Sequence, residues 1–321
     1  MNIKFLIKKI ITSILTLLLL ACVTFFIFEI IPGDAVISKL GTEATEESIA
    51  RMREMYGLDK SFASRFFSFA AGLFTGDFGI SYSTGNSVAA MLWECLPVTI
   101  SLALMSLLLV IVFSVPIGLL TGAAASGRKK KSMVVFDVAN QIFMSVPPFF
   151  IGIIISIVFG LKLQWFVPGK YVSFEESFTD FIVCLIPAAV AVAVPKIAMM
   201  VKFVKSTVMD EMNKDYVRCA RSKGMSEVRV LFSHVFKNVI ITNVTALSVV
   251  IVEIFAGSVV IEQVFSLPGL GRLLVISINT RDFKVVSAIV MYIGVVVILA
   301  NLLSDIIYTV VDKRTEGGTN E

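Results

Sequence analysis

The sequence predicts an all-α integral membrane protein with six transmembrane helices and both termini in the cytoplasm. Three observations carry this: the composition, the spacing of the apolar runs, and where the cations fall. The 321 residues are 57% hydrophobic and 16% charged, with a mean hydropathy of +0.90. A soluble domain is roughly half apolar and about a quarter charged. The single His and the four cysteines (Cys22, Cys95, Cys184 and Cys219), none at CxxC spacing, offer no zinc or redox motif. No metal, catalytic residue or nucleic-acid partner is expected.

A helix needs about 20 mostly apolar residues to cross a hydrocarbon core of about 30 Å. Residues 10–28 are uncharged over 19 positions and place the first span within an N-terminal segment 1–31. Lysines precede it, as in a signal peptide, but the run is longer than a signal core and no small-x-small cleavage pattern follows. Span two is placed at 98–122 in an uncharged run, and span three at 133–160 with Asp137 near its start. Span four, 181–201, is interrupted by Lys196; span five, 238–261, contains Glu253; span six is 285–311, ahead of a tail 312–321. The runs are continuous rather than alternating, which excludes a barrel. Pro147-Pro148 should kink span three, and Pro187 and Pro195 span four.

Orientation follows from the loop cations. With the N-terminus inside, the inner segments hold 17 Lys and Arg and the outer ones 10. The outer loop 32–97 has only five cations against eight acids over 66 residues. It contains a helix-like stretch, 42–57, and an aromatic run, 62–78, suited to the membrane surface or the span ends.

The inner loop 202–237 is the most informative segment. Asp210, Glu211 and Asp215 come early, and Arg218, Arg221 and Lys223 late, as a helix dipole prefers. Gly224 can take the left-handed turn past a helix end. Ser226 can cap a second helix with Glu227 in its first turn. A 3.6-residue period then groups Val228, Leu231, Phe232 and Val235 on one face, and Arg229, Ser233 and Lys237 on another. The expectation is a helix–glycine–helix elbow.

These residues resemble the cytoplasmic coupling loop of ABC importer permeases, generally Glu-Ala-Ala, three residues, Gly. Here Arg218, Cys219, Ala220 and Gly224 stand at those positions, so the Glu and first Ala are absent. The match is to the peptide/nickel branch, D-Y-[VI]-R-x-A-R-[AS]-K-G with a later His. Asp215, Tyr216, Val217, Arg218, Ala220, Arg221, Ser222, Lys223, Gly224 and His234 fit it. The resemblance extends to Ile31-Pro32-Gly33-Asp34, to Tyr56-Gly57-Leu58-Asp59, to the Gly76–Tyr82 stretch and to Leu96-Pro97-Val98-Thr99. It also covers Glu262, Phe265, Pro268-Gly269-Leu270-Gly271, Arg281-Asp282 and the closing Asn301, Asp305, Tyr308, Asp312 and Arg314, with Lys313 where proline is common. The long first outer loop is typical of the B-type subunit of dipeptide and oligopeptide permeases.

The resemblance implies a permease subunit of a peptide importer in a prokaryotic cytoplasmic membrane, doing no chemistry itself. The chain has no Walker A loop, so ATP and Mg belong on two separate ATPase subunits. A second homologous permease and an extracytoplasmic solute-binding protein complete the expected assembly in the lipid bilayer. Tyr216, Arg218, Ala220, Arg221, Lys223, Gly224, Val228, Leu231, Phe232 and His234 would couple to an ATPase. Glu262, Phe265, Pro268, Gly269, Gly271, Arg281 and Asp282 would face the binding protein, in a segment too broken by Pro and Gly to be helical. The path would run along spans two to five. Intramembrane charge is costly and marks function by default; Glu253 could bind a peptide ammonium or a cation, or form a structural pair with Lys196. A nickel-chelate or glutathione permease, a stand-alone secondary transporter and a non-transporting receptor are the alternatives.

Overall fold

The computed structural model describes residues 3–30, 45–126 and 130–311. The Ile31-Pro32-Gly33-Asp34 stretch, residues 127–129 of the basic cluster and the tail from residue 312 lie outside them. Among the described residues there is no β-strand. The helices are α1 (Ile3–Ile30), α2 (Glu46–Tyr56), α3 (Phe62–Thr75), α4 (Val88–Ser126), α5 (Lys130–Ser145) and α6 (Pro148–Ile155, continued by a π-helix Ser156–Lys162). Then come α7 (Phe178–Met212), α8 (Asp215–Ser222), α9 (Glu227–Val230, continued by a π-turn Leu231–Val235), α10 (Phe236–Val264), α11 (Leu270–Asn279) and α12 (Phe283–Val311).

Among the described residues, five stretches are long and apolar enough to cross a membrane: Ile7–Ile30, Val88–Ser126, Phe178–Met212, Glu227–Val264 and Phe283–Leu303. The third expected span is not one rod. Met133–Ser145 and Pro148–Lys162 meet at 91°, and only if this pair counts as one crossing are there six. The cause is local: Pro148 forces Pro147 into extended backbone (φ −62°, ψ 141°) and opens a new helix itself. The prolines of α7 do less, since that helix runs unbroken past Pro187 and Pro195. Helix α4 starts at Val88 and passes through Pro97, so the helix begins ten residues before the expected start of span two at residue 98.

The chain forms two compact units. Of the described residues, one comprises those of 100–266 and 299–311; the other comprises those of 3–99 and 267–298. In the first, α7 packs against α5, α6 and α10. Its buried face is small-residue rich, with Ala188, Ala189, Ala191 and Ala193 fully covered. Small residues let helix backbones approach where lipid supplies no hydrophobic drive for association. Gly118 and Gly122 of α4 serve this approach, because a Cβ on either would sit 2.6 Å from a side-chain carbon of Val204 or Val208. Asp137 pairs with Lys205, and Asn140 Nδ2 donates to the Ala198 carbonyl at 2.8 Å.

In the second unit, Val88 and Leu92 at the start of α4 pack with Leu270 of α11 and Val285, Ala288 and Ile289 of α12. The aromatic run forms α3, and Phe62, Phe66 and Phe69 pack on Phe25 near the end of α1. Fully buried Asp282 accepts from the Ser81 hydroxyl and from both the hydroxyl and backbone N–H of Ser83. One carboxylate thereby holds a loop some 200 positions earlier in sequence.

Candidate functional site: the elbow between α7 and α10

Helix α8 ends in a glycine cap. Gly224 takes φ +78°; its N–H donates to the Arg221 carbonyl at 2.9 Å, and Met225 N–H to that of Ala220 at 3.3 Å. This paired arrangement satisfies the last carbonyls of α8 and requires a residue comfortable in the left-handed region. Ser226 occupies the N-cap position of α9, but its side chain makes no capping bond. The bend is instead braced from outside: Arg221 Nε and Nη2 reach Glu227 Oε1 and Oε2 at 2.8 and 3.0 Å, a two-pronged bridge across the glycine.

Beneath the elbow sits Glu211, 5% exposed at the end of α7. Its carboxylate accepts from Lys214 Nζ, from Tyr216 Oη at 2.6 Å and from Asn238 Nδ2 at 3.3 Å. Asn238 Nδ2 also lies 3.3 Å from Tyr216 Oη. One group thus ties the end of α7, the first turn of α8 and the first turn of α10. Burial, together with donation to Glu211, pushes the Tyr216 hydroxyl up to about 12. From the sequence, Glu211 stands out only as a helix-dipole acid and Asn238 only as a span boundary. The Glu211–Tyr216 spacing of five crosses the turn at Asn213, where helical periodicity gives no guide.

The structure corrects the faces of the second arm. The π-turn Leu231–Val235 adds a residue to the repeat, so Val230, Leu231 and Val235 face inward while Val228 and Phe232 stay 68% and 54% exposed. Leu231, expected as an outward anchor, is 4% exposed, and Ala220 at 6% is packed inside the elbow. Tyr216 is half-buried on Glu211. Arg218, Arg221, Lys223, Gly224 and His234 are exposed.

Lys196 Nζ of α7 lies 2.6 Å from Glu253 Oε2 of α10, so the paired geometry is the one observed. Glu253 keeps 38% of its side chain exposed and Lys196 16%. The segment expected to face a binding protein is largely interior. Glu262 and Phe265 are buried in the first unit; Gly269, Gly271 and Asp282 are buried in the second, Pro268 is half-buried, and Arg281 alone is exposed. Nor is the segment too broken to be helical, since Gly269 is the N-cap of α11.

The chain is similar in sequence to known transport proteins over nearly its whole length. A putative peptide transport system permease protein of Brucella suis biovar 1 is 35% identical over 309 residues, 96% of this chain and 97% of its own. An oligopeptide transport system permease protein of Bacillus subtilis is 32% identical, covering 97% of this chain and 99% of its own. A glutathione transport system permease protein of Salmonella choleraesuis is 30% identical, covering 96% and 97%. The family described as binding-protein-dependent transport system inner membrane component matches residues 114–317, and its N-terminal counterpart residues 2–103. The chain therefore belongs to the inner-membrane permease components of binding-protein-dependent ABC transport systems.

Proposed function

We propose that this chain is a permease subunit of an ATP-driven peptide importer, with six crossings, both termini cytoplasmic, and the α7–α10 elbow as the point of contact with an ATPase subunit. A second permease, two ATP-hydrolysing subunits and an extracytoplasmic binding protein complete the assembly, and ATP with Mg is held on the hydrolysing subunits. Relatives named for peptides and oligopeptides support the substrate class. The observation that carries the mechanism is the Glu211 junction. A docked ATPase grips exposed Val228 and Phe232, with Arg218, Lys223 and His234 at the rim. The cap at Gly224 and the Arg221–Glu227 bridge keep the elbow stiff. Glu211 then passes its displacement to α7 and α10 together, the two helices that also carry Lys196 and Glu253. A free peptide ammonium can compete for Glu253, whose carboxylate is partly accessible while paired.

Cys219, exposed on the elbow, supplies the test. A variant with Cys22, Cys95 and Cys184 changed to Ser leaves Cys219 as the only thiol. In the complete transporter it should react with a membrane-impermeant maleimide only from the cytoplasmic side, and should crosslink to an ATPase subunit. Labelling from outside, or no crosslink during turnover, would overturn the assignment.

A further inference from the structure

One charge stands in the middle of α7 and one in the middle of α10, and the two meet. Between Asp180 and Lys202 the single charged residue is Lys196, and between Lys237 and Glu262 it is Glu253. Lys196 is residue 19 of the 35 in α7. Glu253 lies 11 residues before Val264, the end of α10. That is about 17 Å at 1.5 Å per residue, close to half of a hydrocarbon core of about 30 Å. Lys196 Nζ donates to Glu253 Oε2 at 2.6 Å, and Oε1 accepts no hydrogen bond among the described residues. The cover is uneven, with 38% of the Glu253 side chain open and 16% of that of Lys196. A carboxylate at this depth is costly against lipid, so its open edge faces the bundle interior or a water-filled cavity.

We infer that the pair is a two-point site for a short peptide with both termini free, its ammonium on Glu253 and its carboxylate on Lys196. This rests on the importer reading above and adds Lys196 and the carboxylate end to it. A cation that takes Glu253 alone strands the Lys196 ammonium, and a covered charge that loses its partner is strongly disfavoured. A ligand with its own carboxylate pairs that ammonium again, so the exchange leaves no charge unmatched. An acetyl or amide cap removes the balance at one end. A dipeptide has a suitable length: two extended residues span about 7 Å, a gap that opens when the four-carbon stem of Lys196 swings away from Glu253.

The test is equilibrium binding to the permease–ATPase complex in nanodiscs, purified without the binding protein so that its selectivity stays out of the readout. Radiolabelled alanyl-alanine is displaced by the unlabelled dipeptide, by its N-acetyl form or by its C-terminal amide. Each cap should raise the half-displacing concentration at least about tenfold, the lower end of what a hydrogen bond to a charged group contributes. Lys196→Met should make the amide equal to the free dipeptide and leave the acetyl form weaker. Glu253→Gln should do the reverse, and Lys196→Arg, which keeps the charge, should keep the parent pattern. Equal displacement by all three in the parent, or no saturable binding of the label, overturns the site. So does a loss in either variant by one common factor for all three ligands, which is what a merely structural pair gives. Methylammonium that displaces the label as well as the free dipeptide does would show a plain cation pocket and also overturn it. The labelling and crosslinking of Cys219 do not depend on the ligand's termini, so the importer reading stands or falls apart from this site.

Discussion

Glu211 and Asp282 are both buried carboxylates that gather donors from separate segments, and they differ in what they gather. Asp282 accepts from two hydroxyls and a backbone N–H in a loop some 200 residues away. Its surroundings are short, rigid groups. Glu211 accepts from three side chains within 27 residues of it, one of them a lysine ammonium still half-exposed. The first arrangement locks a loop, because breaking it takes the acceptor from one buried and two half-buried donors at once. The second is a junction of long side chains at a bend, able to move as a body with the helices it joins. In the proposed mechanism the first holds a unit in shape and the second carries motion.

This contrast can be broken by substitution, and the expected effects fall in order. Asp282→Ala should cost most, about 3–5 kcal/mol, because buried donors to a charged acceptor lose their partner together. It should appear as a large fall in thermal stability of the detergent-purified chain. Glu211→Ala should cost less, about 2–3 kcal/mol, because its donors are only half-buried and Lys214 turns to water. Here the greater loss should be in transport rather than in folding, with inserted protein close to the parent level on immunoblots of membranes. If Asp282→Ala proved milder than Glu211→Ala in a melting assay, the division into lock and junction would be wrong.

Gly224→Val should come next. No atom lies within 4 Å of the position a Cβ would take, so the penalty is the left-handed backbone alone, about 1–2 kcal/mol. Insertion should be intact and uptake lost, and wild-type uptake in membrane vesicles would remove the bend from the mechanism. Arg221→Ala deletes an exposed bridge and should cost about 0.5–1 kcal/mol, read as a small drop in melting temperature. The smallest effect is that of pH. Tyr216 is raised from 10.0 to about 12, so the stability it contributes is fully present below pH 10 and is lost only as pH rises through about 12. Uptake at pH 6–9 should therefore show no step that Tyr216→Phe removes.

Much of this was legible in the chain itself. Apolar runs located every long apolar helix among the described residues, and Gly224 was marked as the bend by the cations before it and the Ser-Glu pair after it. What escaped had physical reasons. Helical periodicity assumes 3.6 residues per turn, and the π-turn at 231–235 broke that assumption, turning Leu231 inward with Val230. The Pro147-Pro148 pair was read as a kink, although consecutive prolines both extend the backbone and start a new helix. Gly269 was read as breaking a helix where it begins one. The bonds from Ser81 and Ser83 to Asp282 span a distance in sequence that no local pattern encodes, so Asp282 looked like a surface residue of a loop.

The decisive measurement is the ratio of peptide taken up to ATP hydrolysed by the complete transporter in proteoliposomes, compared between the parent and Glu211→Ala. Retained hydrolysis with at least about a tenfold lower uptake per ATP is expected, since 2 kcal/mol or more is lost at the junction between elbow and spans. An unchanged ratio would mean that Glu211 carries no motion, and the elbow would be a connector like any other.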